Sequence, residues 1–285
     1  MLHKIIIVFI LLSLNINPVK SQESLKVMTF NVRYDEGPFH KGEPLPTFWI
    51  NRKQMQVEVI KMNEPDVIGM QEPFLHQVKY FAEQLPDYSW IGVGRGDGKE
   101  KDEFNPVFYN KNKLKLLDWG TFWLSETPEI PSRSWDAGYN RICTWALFEN
   151  KSSKKQFYVF NTHFDSQGDK ARIKSAILVS EKSKSLAGHK PVFVLGDFNF
   201  KAKSKPYNEM INHELSDSKI IVKNEPLGPN GTFNGFRYGA AYENRIDFIF
   251  VNQKVRVKTY EVINYSENGL YPSDHFPVII HAYFK

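Results

Sequence analysis

Short apolar segments that stop at an acidic, amide or imidazole residue recur along this chain of 285 residues. Each of the five segments reads as the end of a buried β-strand. The polar residues at those ends are Asn31, Glu72, His163 with Asp165, Asp197 with Asn199, and Asp274 with His275. This pattern is typical of a sheet whose strand ends face a polar cleft. The chain is therefore predicted to build one polar site at the edge of a sheet.

The carboxylates of these segments set a condition on that site. Several carboxylates in one cleft would repel one another, and their pKa values would rise unless a cation neutralised them. Oxygen ligands from Asp, Glu and Asn, with no cysteine nearby, favour a hard ion over a thiolate zinc site. We therefore predict a bound Mg²⁺ (or Mn²⁺) ion.

The N-terminus carries one lysine followed by an apolar run from Ile5 to about Leu14. That run is shorter than the roughly 18 residues that a transmembrane helix needs. It resembles a secretory signal peptide, so we predict that residues 1–21 are removed and that the protein is secreted or periplasmic. The alternative is an uncleaved membrane anchor.

The remaining chain, residues 22–285, is predicted to form a single domain. Its length suits one large α/β domain, and neither a linker nor an internal repeat interrupts it. Loss of Lys4 and Lys20 with the signal segment would reduce the formal charge from +5 to +3, which permits a polyanionic substrate without requiring one. The single cysteine, Cys143, excludes an intrachain disulfide and is predicted to be a buried, inert thiol.

Helical and strand patterns alternate along the domain. Helical spacing predicts helices over residues 47–63, 73–85, 169–186 and 206–211. Apolar runs predict strands that include residues 25–31, 65–72, 156–163 and 191–196. Residues 245–251 and 255–263 are predicted to form an antiparallel pair with a turn at Asn252 and Gln253, and residues 276–283 to close the sheet. The expected fold class is α/β, with two packed mixed sheets and helices outside.

The ordered motifs QE, NTH, GDFN, RID and SDH resemble those of the endonuclease/exonuclease/phosphatase family. Each motif alone is a weak signal, but their order and spacing along residues 25–284 make the set specific. The resemblance implies a DNase I-like four-layer α/β sandwich. Further segments, among them GVGRGDG at residues 92–98, resemble a secreted bacterial branch of that family.

The resemblance also implies a metal region. Glu72 matches the main metal ligand of the family, and Asn31 and Asp274 match residues that line the same region. A carboxylate with a neighbouring amide suits Mg²⁺, which keeps several waters and binds phosphate oxygens. The alternative for Glu72 is a carboxylate that caps the helix after Pro73.

Five residues match the family's catalytic set. His275 matches a histidine that pairs with a buried aspartate, and Asp247, in the predicted strand 245–251, matches that partner. Asp197 matches the residue that orients or deprotonates the attacking water, and Asn199 an amide that donates to the phosphate. His163 matches a second histidine that contacts a phosphate oxygen. Which group is the general base stays open, and GDFN could also be a simple turn.

Three further residues are predicted to bind or orient substrate. Arg141 lies where members of the family place a cation or tyrosine that contacts phosphate, although an ordinary surface arginine would look the same. Asp165 would point in the same direction as His163 if the strand continued. Arg33 follows Asn31 by two positions, a place that varies across the family.

The combined features predict hydrolysis of a phosphodiester or phosphomonoester by in-line attack of water. Nucleic acid is a candidate substrate, and Lys201, Lys203 and Lys205 are predicted to form a basic patch beside the site. The alternatives are a sphingomyelinase-like lipid phosphodiesterase and a catalytically silent module that binds glycans or other ligands. No obligate protein partner is predicted, and the chain is expected to be a monomer.

Overall fold

The computed structural model describes residues 24–35 and 45–285, so the predicted signal segment lies outside the described residues. The strands are β1 (Leu25–Asn31), β2 (Val67–Gln71), β3 (Tyr88–Ile91), β4 (Val107–Asn110), β5 (Leu114–Trp123), β6 (Ile142–Asn150), β7 (Gln156–His163), β8 (Val192–Asp197), β9 (Leu215–Asp217), β10 (Asp247–Asn252), β11 (Val255–Val262) and β12 (Val278–Phe284). The α-helices are α1 (Trp49–Asn63), α2 (Leu75–Gln84), α3 (Asp169–Ala187), α4 (Lys205–Asn212) and α5 (Ser218–Ile221).

The strands form two sheets of six strands each. Sheet A has the strand order β11-β12-β1-β2-β4-β3, and sheet B has the order β5-β6-β7-β8-β10-β9. Each sheet has one parallel pair at its centre, β1 with β2 and β7 with β8, and its other pairs are antiparallel. Both sheets are therefore mixed, as predicted.

Side chains alternate between the two faces of each sheet, as a strand period of two requires. Val27 on β1 and Val159 on β7 face the core between the sheets, while Met28 and Phe160 belong to outer clusters. Helices α1 and α2 contribute to the outer cluster of sheet A, and α3 and α4 to that of sheet B. The predicted four-layer sandwich is thus confirmed. Among the described helices, none combines the length and apolarity needed to cross a membrane.

The predicted pairing of β10 with β11 is wrong. The chain does turn at Gln253 and Lys254, but β10 pairs with β8 and β9 in sheet B, whereas β11 pairs with β12 in sheet A. The Asn252 side chain fixes the segment in which the chain passes from sheet B to sheet A. Its amide nitrogen donates to the Lys190 carbonyl, and its oxygen accepts from the Val192 and Lys254 N–H groups. The connection therefore joins the two layers instead of forming a hairpin.

Sequence patterns located the other elements more closely. The first helix ends at Asn63, as predicted, and β7 spans the predicted residues 156–163. The strand predicted at 245–251 begins two residues later, so that Asp247 is its first residue instead of lying inside it. The short strand β9 and helix α5 were not predicted. Cys143 is fully buried, which confirms its predicted setting.

Candidate active site

A cleft of about 1130 Å³ opens where the two sheets end. Its walls come from the ends of strands in both sheets and from the loops that follow them. Among the site residues predicted from the sequence, the cleft is lined by Arg33, Glu72, Arg141, His163, Asp197, Asn199, Asp274 and His275. The predicted convergence of the polar strand ends is therefore observed.

Strand register explains this convergence in sheet A. Strands β1 and β2 are parallel, with Asn31 opposite Gln71, so Asn31 and the following Glu72 lie at the same sheet edge. Strand β12 is antiparallel to β1, and the segment before it therefore reaches that edge too. The Ser273 hydroxyl donates to the Asn31 carbonyl over 2.6 Å, which anchors Asp274 next to the strand end.

Sheet B brings its own residues to the same edge. Strands β7 and β8 are parallel, with His163 opposite Asp197. Strand β10 is antiparallel to β8, with Asp247 opposite Asp197. Carboxyl ends of two parallel strands and the amino end of an antiparallel strand must meet at one edge, which explains why motifs far apart in sequence face one cleft.

The Asn31 side chain joins the two halves of the site. Its amide nitrogen donates to Glu72 Oε1 over 2.9 Å and to Asp197 Oδ2 over 3.0 Å. The Tyr34 N–H donates to Glu72 Oε2, so both carboxylate oxygens of Glu72 are oriented. The contacts leave Glu72 at the cleft instead of capping α2, whose Phe74 and Gln77 provide its N-terminal hydrogen bonds.

The carboxylates of the cleft fit a divalent cation. Burial raises the pKa of Asp197 to about 7, and the negative charges of Asp247 and Glu72 add to that rise against the opposing effect of His275. Burial, with the charge of Glu72, also raises the pKa of Asp274. Arg33 lies 3.9 Å from both Glu72 and Asp274 but does not cancel these effects. A hard divalent ion bound by the carboxylate oxygens would neutralise their charges and lower these pKa values.

Ligand atoms are also close enough for such an ion. Among the described residues, Glu72, His163 and Asp197 each offer one ligand atom within 4.8 Å of the other two, and so do Asp197, Asp247 and His275. The first group combines two carboxylates with one imidazole, a donor set that a divalent ion such as Mg²⁺ or Mn²⁺ can use. It adjoins Asn31, whose amide nitrogen donates to Glu72 and Asp197 and whose amide oxygen accepts from the Arg33 N–H.

His275 is held as a cation by two buried aspartates. Its Nδ1 atom lies 2.9 Å from Asp247 Oδ2, and its Nε2 atom lies 3.7 Å from Asp197 Oδ2. Burial alone would lower the pKa of His275, but Asp247 and Asp197 outweigh it and raise that pKa well above its ordinary value. The imidazole therefore presents a positively charged Nε2–H group to the cleft.

His163 is the opposite case. Burial lowers its pKa well below the ordinary value, and the charges of Arg141 and Arg95 lower it further. Its Nε2 atom lies 3.0 Å from the Asn199 amide nitrogen, which also donates to the Phe164 carbonyl. The two histidines of the site thus have different charges at neutral pH.

Several site residues adopt a left-handed backbone. The φ angles are 57° for Arg33, 75° for Glu72 and 50° for Asn199. Such angles cost about 1 to 3 kcal/mol for a residue with a side chain and concentrate at functional sites. Each of these residues directly follows or lies close to the end of a strand, where the left-handed turn directs its side chain into the cleft.

The three predicted substrate residues have different surroundings. Arg33 and Arg141 line the cleft, and Arg141 is 6 % exposed, so it is not an ordinary surface arginine. Strand β7 ends at His163, and Asp165 turns away from the cleft lining. Its carboxylate accepts from the Gly138 and Gly168 N–H groups and lies 3.4 Å from Arg141 Nε. Those contacts make it a support for Arg141.

Sequence reasoning missed four charged residues that line the cleft, Arg95, Asp102, Glu103 and Arg237. Arg95 lies within the GVGRGDG segment, so its motif was noticed although the residue was not. Glu103 follows the charged run at residues 99–102 and resembles surface sequence. Conversely, the predicted basic patch is not part of the cleft lining, because Lys201, Lys203 and Lys205 are exposed outside it.

The comparison with known families agrees with the fold and the site. Residues 28–275 match the Endonuclease/Exonuclease/phosphatase family, and this chain belongs to that family. Members of the family are phosphoester hydrolases, including phosphatases and nucleases.

Two solved structures from Bacteroides thetaiotaomicron are similar over nearly the whole chain. An endonuclease/exonuclease/phosphatase family protein is 39% identical, with a TM-score of 0.88, over 92% of this chain and 98% of its own. A mannosyl-6-phosphatase is 38% identical, with a TM-score of 0.86, over 91% of this chain and 100% of its own. An uncharacterized protein of Acanthamoeba polyphaga mimivirus is 28% identical over 90% of this chain and 99% of its own.

Proposed function

We propose that this protein is a metal-dependent phosphoester hydrolase that uses water as its nucleophile. One observation carries the proposal: buried carboxylates, a cationic histidine and a neutral histidine converge in a single cleft. A site that only bound ligand would not need a carboxylate whose pKa lies near 7 beside a charged imidazole. The similarity to a mannosyl-6-phosphatase supports the same chemistry.

Glu72, Asn31 and Asp274 would hold the metal ion. Glu72 and Asp274 line the cleft, and the Asn31 amide beside them bonds to Glu72 and to Asp197 of sheet B. When bound, Mg²⁺ or Mn²⁺ would neutralise charge on the phosphate and on the leaving oxygen.

The protein's own groups then divide the remaining work. Asp197, with a pKa of about 7, is suited to accept a proton from water at neutral pH. His275, kept charged by Asp247, would stabilise the negative charge that develops on the phosphate. Asn199 and His163 would position phosphate oxygens, because their side chains lie together at the cleft.

Activity against a panel of phosphoesters tests this proposal. Purified protein with Mg²⁺ should hydrolyse at least one of p-nitrophenyl phosphate, sugar 6-phosphates, bis-p-nitrophenyl phosphate, DNA, RNA and sphingomyelin. Chelation and His275→Ala should each abolish that turnover, while the exposed His189→Ala should not change it. Absence of any turnover, or turnover that survives both treatments, would contradict the proposal.

The panel also separates the candidate substrates. Sugar phosphates are included in the panel because the chain is similar to a mannosyl-6-phosphatase. Nucleic acid and phospholipid represent the phosphodiester candidates that the sequence motifs leave open. A substrate preference of one class over the others would decide among them.

We also propose that the protein belongs to a secreted bacterial branch of the family and is exported after loss of residues 1–21. The apolar N-terminal run and the similarity to Bacteroides proteins support this. Cell fractionation followed by N-terminal sequencing tests it. A protein that kept these residues inside the cell would contradict it.

A further inference from the structure

Two arginines and one glutamate form a cationic wall on one side of the cleft. Arg95 Nη1 donates to Glu103 Oε2 over 2.8 Å, and Arg141 Nη1 lies 4.0 Å from the same oxygen. Both guanidinium groups lie 5.2 Å from the centre of the Tyr139 ring. We call Arg95, Glu103, Tyr139 and Arg141 the arginine wall, and all four line the cleft.

The backbone fixes this wall before any ligand binds. The Arg95 N–H donates to the Glu103 carbonyl over 2.9 Å, so the two residues lie opposite each other on adjacent segments. Trp123 Nε1 donates to the Arg95 carbonyl over 2.8 Å. The Arg95 side chain, 12 % exposed, therefore starts from a rigid position and needs little ordering to bind a ligand.

Most donors of the arginine wall have no acceptor among the described residues. Of the five N–H groups of Arg95, one donates to Glu103. Arg141 donates weakly through Nε to Asp165, and its terminal nitrogens make no hydrogen bond within the described part of the chain. The two largely buried guanidinium groups lie beside Glu103, and Arg141 also contacts Asp165, so both keep N–H groups that can bind an anion.

The arginine wall lies beside the groups that would contact phosphate. The charges of Arg141 and Arg95 both act on His163, and the charge of Glu72 acts on Glu103 and on Arg95. A phosphate between the metal ligands and His163 would thus place a free oxygen toward the arginine wall. The number of oxygens on the phosphate then decides how many donors it can satisfy.

We propose that Arg95, positioned by Glu103, is a specificity-determining residue that acts with Arg141 to select a terminal phosphate over a phosphodiester. This inference rests on the proposed phosphoester hydrolysis and adds its substrate class. A phosphomonoester above pH 7 carries about two negative charges and three non-bridging oxygens. A diester carries one charge and has only two such oxygens, so it leaves part of the arginine wall unsatisfied.

Selectivity between two matched esters tests the role of Arg95. At pH 8 with Mg²⁺, Arg95→Gln should lower kcat/KM for p-nitrophenyl phosphate by about 10- to 100-fold, the loss expected for hydrogen bonds to a charged group. The value for bis-p-nitrophenyl phosphate should stay within about threefold. Arg256→Gln, an exposed arginine on β11, is the matched control and should change neither. Equal loss on both esters, or no loss on either, would overturn the proposal.

Binding of inorganic phosphate keeps the test independent of turnover. Calorimetric titration of wild type and Arg95→Gln should show about tenfold weaker phosphate binding in the variant. Equal binding would overturn the role of Arg95 even in a protein without activity on any ester. Wild type that binds phosphate through Arg95 but hydrolyses no substrate would instead contradict the proposed function alone.

Because Glu103 is proposed to act through Arg95, its test compares a conservative variant, which should keep the substrate preference, with an alanine variant, which should lose it. Glu103→Gln retains an acceptor oxygen and should keep the preference for the monoester, whereas Glu103→Ala should lose it to the extent seen in Arg95→Gln. Melting temperatures of both variants would identify loss of folding. If the two folded variants showed the same preference as wild type, the positioning role of Glu103 would be refuted.

Discussion

In the Asp247–His275 pair, one substitution can remove a charge while it keeps the shape of the side chain. Asp247 is buried, and in the described structure its Oδ2 atom bonds to His275 while its Oδ1 atom has no partner. Asp247→Asn keeps the shape but removes the charge that keeps His275 protonated. We expect kcat to fall about 100-fold or more, with the Kd for Mg²⁺ unchanged within about threefold.

Steady-state kinetics and a calorimetric Mg²⁺ titration of the same preparation measure the two quantities. Asp217→Asn is a useful comparison, because Asp217 is also buried and bonds to Arg245 away from the cleft lining. Asp217→Asn should lower the free energy of unfolding and leave kcat nearly unchanged. Equal losses of turnover and metal affinity in Asp247→Asn would show that Asp247 belongs to the metal region.

The raised carboxyl pKa values predict how metal affinity depends on pH. Asp197 has a pKa of about 7, and that of Asp274 is also raised, both chiefly through burial. A divalent ion favours the ionised form, and protons compete with it below these pKa values. Mg²⁺ should therefore bind about tenfold more tightly at pH 8 than at pH 6. Titrations at pH 6, 7 and 8 would measure this, and a flat profile would contradict the proposed ligand region.

At the scale of elements, a buried amide pair connects the two sheets. Gln71 at the end of β2 donates to Asn161 Oδ1 on β7 over 2.6 Å. Asn161 in turn donates to the Met70 and Pro106 carbonyls, where the pairing of β2 with β4 ends. Buried backbone groups at the end of a ladder need such partners, because no water replaces them.

Removal of this link should be costly. Asn161→Ala would remove three buried hydrogen bonds, two to the Met70 and Pro106 carbonyls and one from the Gln71 amide. We expect it to lower the free energy of unfolding by about 3 kcal/mol, although the Gln71 amide keeps its bonds to Thr29 and Gly69. The exposed Asn112→Ala is the control and should change it by less than about 0.5 kcal/mol. Urea unfolding followed by circular dichroism measures both. A small effect in Asn161→Ala would mean that this amide link contributes little to the packing of the two sheets.

The same scale shows what sequence patterns can and cannot predict. Apolar runs and helical spacing located β7 and α1 because those patterns are local. The partner of a strand is not local, and the hairpin predicted after Asn252 failed for that reason: a two-residue turn fits a hairpin and a crossing between layers equally well. The Asn252 contacts that favour the crossing come from Lys190 and Val192, about sixty residues earlier.

Predictions of the site divided in a similar way. Residues at strand ends, such as Glu72 and Asp197, were found because an apolar run that stops at a carboxylate is visible in the sequence. Arg95 and Glu103 come from segments without a regular pattern, and Asp102 beside them is equally charged. The fold places all three at the cleft, which no local pattern in the sequence indicates.

At the scale of the whole molecule, the site is also a joint between the two layers. Asn31 and Glu72 come from sheet A, whereas Asp197 comes from sheet B, and the Asn31 amide bonds to both carboxylates. A ligand bound there would contact both sheets and would stabilise their packing. Its binding should therefore be measurable as stability of the entire domain, because a site assembled from distant segments does not exist in the unfolded chain.

A thermal melt with added metal measures this coupling. Mg²⁺ at 100 times its Kd should stabilise the domain by about 2.7 kcal/mol, which corresponds to a rise of about 5 to 10 °C in Tm for a domain of this size. Glu72→Gln should abolish the rise, measured against the variant's own Tm without metal, because it keeps an oxygen that can accept from Asn31 but no longer accepts from the Tyr34 N–H. Glu126→Gln, an exposed control, should retain the full rise. If Glu72 is a metal ligand, its loss should remove metal binding and with it the stabilisation of the domain. A rise in Tm that persisted in Glu72→Gln would therefore show that the metal binds elsewhere.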